Sequence, residues 1–410
     1  MVGSFWWRTF SPRYLITGGA HIVRKHMRPT LARRTTLWPR AAPVPRAAGD
    51  AKGEAMHEVR IATIGTSAIC ERFLDAVAQV PGARHVAAYS RDLARARAFA
   101  AAHGAPLAFD SLEALAASDG VDAVYVASPI AAHAPQALAM VAGGKHVLVE
   151  KAFASNAREA EAVFAAAHER GVVALEAMRG LHVPSFALVE ATLPELGSVR
   201  QATFRFSKVT SRMARLRAGE RLNVFDPRLS EGALMDLGIY CVGPAVALWG
   251  EPREVRACAY TVAVPGEPAG SPYATIDLAG EALLAYDGFV VDLSYAKTCD
   301  NVLPSQIAGE RAVLTMDECC CPRALALHEH EDQGMVYGTG AGAGRALPVE
   351  VPANDMVCEL ERFVAAVQGD DEALAAVARF EGVTMGSLRV CDEVRRQVGV
   401  RFLADDEPAA

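Results

Sequence analysis

The sequence predicts an α/β protein. An N-terminal doubly wound parallel sheet of Rossmann type is followed by an α+β domain with a large, mostly antiparallel sheet. Three observations carry this. Between residues 59 and 176, short apolar runs alternate with alanine-rich helical stretches. The first run, Val59–Ile64, passes straight into the small-residue turn Gly65-Thr66-Ser67-Ala68. Beyond about residue 180 the alternation gives way to longer strand-like runs joined by tight turns. Apolar strands alternating with helices specify a parallel sheet covered on both faces.

In order, the first half predicts strands over 59–64, 84–89, 107–108, 122–127, 146–149 and 172–176. Helices are expected over 68–80, 92–103, 111–118, 132–143 and 155–170. Asp92 and Ser111 stand where side-chain oxygens can accept first-turn N–H groups, and Gly104, Gly144 and Gly171 stand where helices stop. The second half predicts strands over 199–207, 254–264, 281–287, 289–295 and 311–316. Its helices are expected over 185–193, 231–249, 356–367 and 384–397. Asp287-Gly288 between two apolar runs is the sequence of a two-residue hairpin turn. The expected division is a basic extension over 1–56, a nucleotide-binding domain over 57–178, and a substrate-binding and oligomerisation domain over 179–410.

A chain of 410 residues exceeds one ordinary core. With 51% hydrophobic and 22% charged residues it is globular in composition, neither disordered nor fibrous. No window approaches eighteen uncharged apolar residues, so no membrane-spanning helix is expected. The net charge of −7 is unevenly spread: residues 1–55 carry ten Lys/Arg and two Asp/Glu, leaving 31 basic and 46 acidic residues elsewhere. That acidic body argues against nucleic acid as a partner. Nine cysteines in no regular framework fit a reducing cytoplasm better than a disulfide scaffold. The run Cys319-Cys320-Cys321, with His328 and His330 nearby, lacks the paired spacing of a zinc site, so no metal is expected.

The first 55 residues admit three readings: a disordered basic extension, a targeting arm, or translated upstream sequence ahead of a start at Met56. The last is favoured, because Met56 falls just before the first strand.

The turn after that strand carries the first chemistry. A dinucleotide-binding turn needs glycine first, a third residue that lets backbone approach the pyrophosphate, and a small sixth residue. Here these are Gly65, Ser67 and Cys70, which makes Gly65, Thr66, Ser67, Ala68 and Ile69 candidate cofactor contacts. An acidic residue ending the second strand would bond the ribose 2′-hydroxyl of NAD. Ser90 and Arg91 stand there instead, suited to a 2′-phosphate, while Asp92 reads as the helix cap. The expected cofactor is NADP, with NAD as the second choice.

The chain resembles the Gfo/Idh/MocA oxidoreductases from about residue 57 to its C-terminus. The resemblance rests on Ile64-Gly65-Thr66-Ser67-Ala68, Ser128-Pro129 with His133, Gly144-Lys-His-Val-Leu-Val-Glu150-Lys151, Gly232-Ala-Leu-Met-Asp236-Leu-Gly-Ile-Tyr240 and the closing 392–405 segment. It looks most like the branch of trans-dihydrodiol, D-xylose and glucose–fructose oxidoreductases, whose helix carries tyrosine where inositol dehydrogenases carry histidine. Three departures stand out. Ala152 replaces the usual proline after the lysine, Ile130 replaces the usual asparagine after Ser128-Pro129, and Ser230-Glu231-Gly232 replaces a glycine run.

The resemblance implies that Lys151 is the active-site lysine, and that Ser128, Pro129, His133 and Glu150 line the cofactor with it. Physically, a lysine ending a buried strand of this fold lies at the ligand crevice, and Glu150 is expected to hold it. Asp236 and Tyr240, four apart on a helix, share a face. The lysine's charge is expected to bring the phenol down from its usual value near ~10, so that Tyr240 serves as the base. Asp236 is expected to orient substrate hydroxyls or the lysine. Arg179, His182 and Asn223, with Arg228, are candidate substrate contacts. The 208–225 loop brings Arg212, Arg215, Arg217 and Arg221, either as a solvated face or toward an anionic substrate group.

The function expected is NADP-dependent hydride transfer at a hydroxyl or carbonyl carbon of a sugar, polyol or cyclic diol. Two alternatives stay open: a non-catalytic cofactor-sensing regulator, and a glycosidase relative that retains its nicotinamide. A homodimer or homotetramer formed through the C-terminal sheet is implied by the resemblance, with a small molecule as substrate and neither nucleic acid nor membrane as partner.

Overall fold

A computed structural model of the chain describes residues 58–330 and 343–406. The 1–56 extension and the choice of start lie outside the described residues. The first sheet has six parallel strands: β1 (Val59–Ile64), β2 (Ala83–Tyr89), β3 (Leu107–Phe109), β4 (Ala123–Val126), β5 (His146–Glu150) and β6 (Ala174–Ala177). Their order is β3-β2-β1-β4-β5-β6. The chain reverses its direction of winding between β1 and β4, and ligands of such sheets bind beyond the carboxyl ends at that point. Helices α1 (Ala68–Val77), α2 (Leu93–Ala102), α3 (Leu112–Ala116), α4 (His133–Ala142) and α5 (Ala157–Arg170) connect the strands. Every residue of β4 is fully buried, as a strand covered on both faces must be. The expected caps form: Asp92 accepts from the Ala94 and Arg95 N–H groups, Ser111 from Ala114, and Gly171 ends α5 at φ 65°.

The second sheet is built from β7 (Val199–Ser207), β8 (Glu254–Ala263), β9 (Thr275–Tyr286), β10 (Phe289–Ala296), β11 (Ser305–Gly309), β12 (Ala312–Met316), β13 (Leu325–Glu329) and β14 (Arg345–Leu347). Its order is β14-β13-β12-β11-β7-β10-β9-β8, antiparallel except where β7 meets β10. The Asp287-Gly288 hairpin forms as its sequence predicts, with Tyr286 opposite Phe289. β11, β13 and β14 were not expected; each spans five residues or fewer, too short for alternation to stand out.

The helices of this half are α6 (Pro184–Thr192), α7 (Met213–Arg217), α8 (Ile239–Trp249), α9 (Met356–Val367) and α10 (Asp371–Val398). α10 starts far ahead of residue 384, because Asp370 accepts the Ala373 N–H at 2.8 Å and caps it. A π-helical turn, Leu234–Gly238, leads into α8. Contrary to expectation, Pro227–Trp249 is long and apolar enough to cross a membrane by length and composition, with mean hydropathy 1.4. Of its most apolar 18-residue stretch 72% is buried, so that apolarity covers the inner face of the second sheet.

The closing segment is clipped back onto α5. Arg395, buried, pairs with Asp392 (2.7 Å) and Asp405 (2.6 Å) and lies 4.0 Å from the centre of the Phe402 ring. Asn156 donates to Asp405, and Asp392 accepts the Ala157 N–H.

Candidate active site

The turn after β1 has the geometry of a dinucleotide cradle. Gly65 adopts φ 122°, and a Cβ there would lie 2.7 Å from the Ala127 carbonyl oxygen, so only glycine fits. Ser67 begins α1 without capping it by its side chain, and its hydroxyl lies 3.8 Å from the buried Cys70 thiol. Thr66, Ser67, Ala68 and Ile69 are all partly or fully exposed at this helix end, where first-turn N–H groups lack helical acceptors and suit a phosphate. At the end of β2, Ser90 accepts the Asp92 N–H at 3.3 Å. Arg91 is exposed and forms no ion pair among the described residues. Asp92 is committed to the cap of α2. The residues present therefore fit a dinucleotide, and Arg91 is a cation at the end of β2 with no ion pair among the described residues.

Lys151 follows β5, and its ammonium donates to Asp236 Oδ1 (2.8 Å) and to the Asp236 main-chain oxygen (2.9 Å). Glu150 does not hold it, contrary to expectation. Successive residues of a strand point to opposite faces, so the Glu150 carboxylate instead accepts the Tyr125 hydroxyl (2.6 Å) and the Lys151 main-chain N–H (3.2 Å). Burial pushes the Glu150 carboxyl upward. The Lys151–Ala152 peptide is cis. His133 is buried, with Nδ1 2.9 Å from the Ala152 oxygen and Nε2 2.8 Å from the Ser128 oxygen. Both its nitrogens face main chain, so His133 ties the Ser128-Pro129 turn to the lysine turn and has no ring nitrogen to offer a ligand. The Ser128 hydroxyl donates to Gln136.

The π-helical turn brings Asp236 and Tyr240 to the same ammonium. Lys151 Nζ stands 4.9 Å from the centre of the Tyr240 ring, and the Arg179 guanidinium 5.2 Å from it. A second lysine, which sequence reasoning missed, completes the group: Lys297 Nζ meets Asp236 Oδ2 at 2.7 Å and is 3% exposed. Burial acts to raise the Asp236 carboxyl, but the two ammoniums outweigh it and hold the group well below the usual carboxylate range. For Tyr240 the balance falls the other way. Burial is the largest influence and outweighs Lys151 and Arg179, so the phenol is pushed up to about 12. The expectation that Lys151 lowers it below its usual value is corrected: both cations are in place, but the ring is 4% exposed.

The other candidates separate. Arg179 ion-pairs with the buried Asp355 at 3.4 Å, which Arg72 on α1 also holds at 2.7 Å. Gly180 beside it lies so close to the Cys320 carbonyl oxygen that a Cβ would overlap it. Cys319, Cys320 and Cys321 are buried, and Cys319 Sγ is 3.7 Å from that of Cys241. His182 is buried, 4.4 Å from the Phe380 ring, with neither nitrogen partnered; burial with Arg362 and Arg379 lowers it to about 3. It faces α10, not the lysine. Asn223 is exposed on the loop before α8. Arg228 pairs with Glu267 and covers Tyr273, while Arg221 pairs with Asp226 and Glu267. Both arginines are thus held in ion pairs.

Glu231 was also missed as a functional candidate. Burial pushes it up to about 7, against Lys297 and Lys151, and the Ile130 N–H faces its carboxyl. Two departures from the family pattern thus meet in one place. Lys297 had a legible signal, since like Lys151 it ends an apolar strand.

Over residues 59–177 the chain matches the oxidoreductase family with an NAD-binding Rossmann fold. It is 37% identical over 347 residues to an NADP(+) scyllo-inositol 2-dehydrogenase of Bacillus subtilis (strain 168), covering 85% of this chain and 99% of that protein. The chain belongs to the Gfo/Idh/MocA oxidoreductases. Membership extends through the second sheet, and the protein is an NAD(P)-dependent oxidoreductase acting on CH–OH groups. A trans-1,2-dihydrobenzene-1,2-diol dehydrogenase of Sus scrofa is 28% identical over 365 residues, covering 85% of this chain and 99% of that one. Among solved structures, a 3-ketoreductase of Actinomadura kijaniata in complex with NADP and TDP-benzene superposes with a TM-score of 0.69. It is 24% identical, covers 85% of this chain and 100% of its own, and shows the shared fold.

Proposed function

We propose that this Gfo/Idh/MocA protein is an NADP-dependent dehydrogenase of a sugar, polyol or cyclic diol, with Lys151 and Tyr240 as its catalytic residues. The observation that carries this reading is the grouping of Asp236 and Tyr240 at the Lys151 ammonium beyond β5, with Arg179 also over the Tyr240 ring. The nicotinamide, when bound, supplies or accepts the hydride. Gly65 and the start of α1 would hold the pyrophosphate, and Ser90 with Arg91 the 2′-phosphate.

Tyr240 stays protonated at neutral pH, so at rest it is ready to donate its proton to a carbonyl oxygen during reduction. In oxidation the minor phenolate form, whose charge Lys151 and Arg179 offset and whose proton has first passed to solvent, takes the hydroxyl proton as the substrate loses hydride. Asp236 is occupied by two lysines and orients them; it has no free oxygen edge to act as base. Copies of the chain are proposed to associate through the open face of the second sheet, where Tyr260, Leu283 and Val290 are exposed.

Fluorescence titration with NADPH and NADH, followed by a screen of scyllo-inositol, D-xylose and trans-dihydrodiols, tests the reading. NADPH should bind the more tightly and one of these classes should turn over. Tight NADPH binding with no turnover across the panel favours the sensor instead.

A further inference from the structure

Lys297 is buried, and its one close ion-pair partner among the described residues is Asp236. Its ammonium has Asp236 Oδ2 at 2.7 Å, a long contact to the Val224 oxygen at 3.5 Å, and the Phe225 ring centre at 5.2 Å. A buried ammonium is costly to keep unless it is paired, and here its pairing partner is a carboxylate that Lys151 already holds. Two ammoniums thus share one carboxylate at hydrogen-bond distance, with the Glu231 and Asp277 carboxyls as more distant opposite groups.

The arrangement makes geometric sense through Lys151. An ammonium has three N–H donors. Lys151 spends two on Asp236, at Oδ1 and at the main-chain oxygen, and no third acceptor occurs among the described residues. The direction of the third donor is then set by how firmly Asp236 is held. A carboxylate bonded at one oxygen can swing about its Cβ–Cγ bond; bonded at both, by cations from two elements, it cannot. Lys297 is itself well anchored. Its main-chain N–H donates to the Leu278 oxygen (2.8 Å), and its oxygen accepts the Thr210 N–H (3.1 Å). The same residue thus fixes Asp236 and the root of the 208–225 loop.

We propose that Lys297 is a positioning residue for hydride transfer: it clamps Oδ2 of Asp236, the oxygen Lys151 does not hold, and so aims the third N–H of Lys151 at the substrate oxygen. This rests on the dehydrogenase reading above. The groups facing Asp236 are Lys151 beyond β5, Lys297 beyond β10, Glu231 ahead of the helix, and Tyr240 on the helix itself. Removing Lys297 leaves burial and Glu231 opposed by one ammonium instead of two, so Asp236 takes up a proton at a higher pH and releases Lys151.

The test uses the full chain with NADP+ and the panel compound that the wild type oxidises fastest, comparing Lys297→Met and Lys297→Arg. NADPH titration serves as the folding control. In Lys297→Met, kcat should fall roughly 10- to 100-fold, the range for losing a hydrogen bond to a charged group, with NADPH affinity unchanged. The acid limb of its kcat profile, where protonation of Asp236 steepens the fall beyond the single slope set by Tyr240, should move up by about one pH unit or more. Lys297→Arg keeps the charge and should restore the limb to its wild-type position. A Lys297→Met enzyme with wild-type kcat and an unmoved limb overturns the proposal and leaves the dehydrogenase reading intact. Should Lys297→Met fail to bind NADPH, Lys297→Arg decides alone: an unmoved limb supports the clamp, and a limb shifted upward overturns it. A wild type that oxidises nothing in the panel overturns both.

Discussion

The Lys151 ammonium grips Asp236 twice, at Oδ1 (2.8 Å) and at the main-chain oxygen (2.9 Å). The contact joins the end of a strand in the first sheet to a helix that covers the second. The catalytic geometry therefore depends on a pair that spans the two halves.

Asp236→Asn keeps the shape of that contact and removes its charge, leaving two buried ammoniums without a counter-ion. We expect kcat to fall about 100-fold, and stability by about 3 kcal/mol, the scale for breaking one side of a buried pair. NADPH affinity should be unchanged. Single-turnover absorbance and urea unfolding measure both effects; a fully active variant contradicts the assignment.

Tyr240 is pushed up to about 12, mainly by burial. Wild-type oxidation should accelerate as pH rises and show no plateau below about pH 11. Tyr240→Phe should lose roughly 10²- to 10³-fold in kcat, together with that alkaline rise. A plateau near pH 8 in the wild type would mean that some other group is the base.

Arg91, at the end of β2, forms no ion pair among the described residues. Arg91→Ala should raise the Kd for NADPH about tenfold, the scale of one charge-assisted contact, and leave that for NADH unchanged. Equal losses for both nucleotides would place Arg91 on the adenine or pyrophosphate instead.

Glu176 gives a stability prediction of definite sign. Its carboxylate accepts the Phe153 N–H (2.9 Å) and the Thr384 hydroxyl (2.7 Å), yet burial raises it to about 7. The folded state then holds the proton more tightly than the unfolded chain, where a glutamate titrates near ~4.3. That contribution is fully present below about pH 4 and is lost as pH rises through about 7. Relative to wild type, Glu176→Gln should therefore gain stability between pH 5 and 8, by roughly 2–3 kcal/mol. A difference that stays flat over that window contradicts the sign.

Much of this was legible in the sequence because it follows from spacing. The alternation of apolar runs and helices set the parallel sheet, and Gly65 was required by a turn with no room for a Cβ. Lys151 was legible as a strand-end lysine, and Lys297 carries the same mark but has no family motif around it. The direction of the Tyr240 shift was not legible, since it is a balance between burial and two cations that only packing sets. Glu150 illustrates the opposite case: strand alternation alone turns its side chain away from that of Lys151. His182 was misread because a histidine after a strand looks the same in sequence whether it faces a crevice or, as here, Phe380.

The most direct test of the central claim is NADPH formation at 340 nm from NADP+ and a polyol such as scyllo-inositol, in wild type and Lys151→Ala. The account predicts turnover in the wild type and a loss of about 10³-fold or more in Lys151→Ala, which should still bind NADPH. Turnover that survives in Lys151→Ala would contradict it.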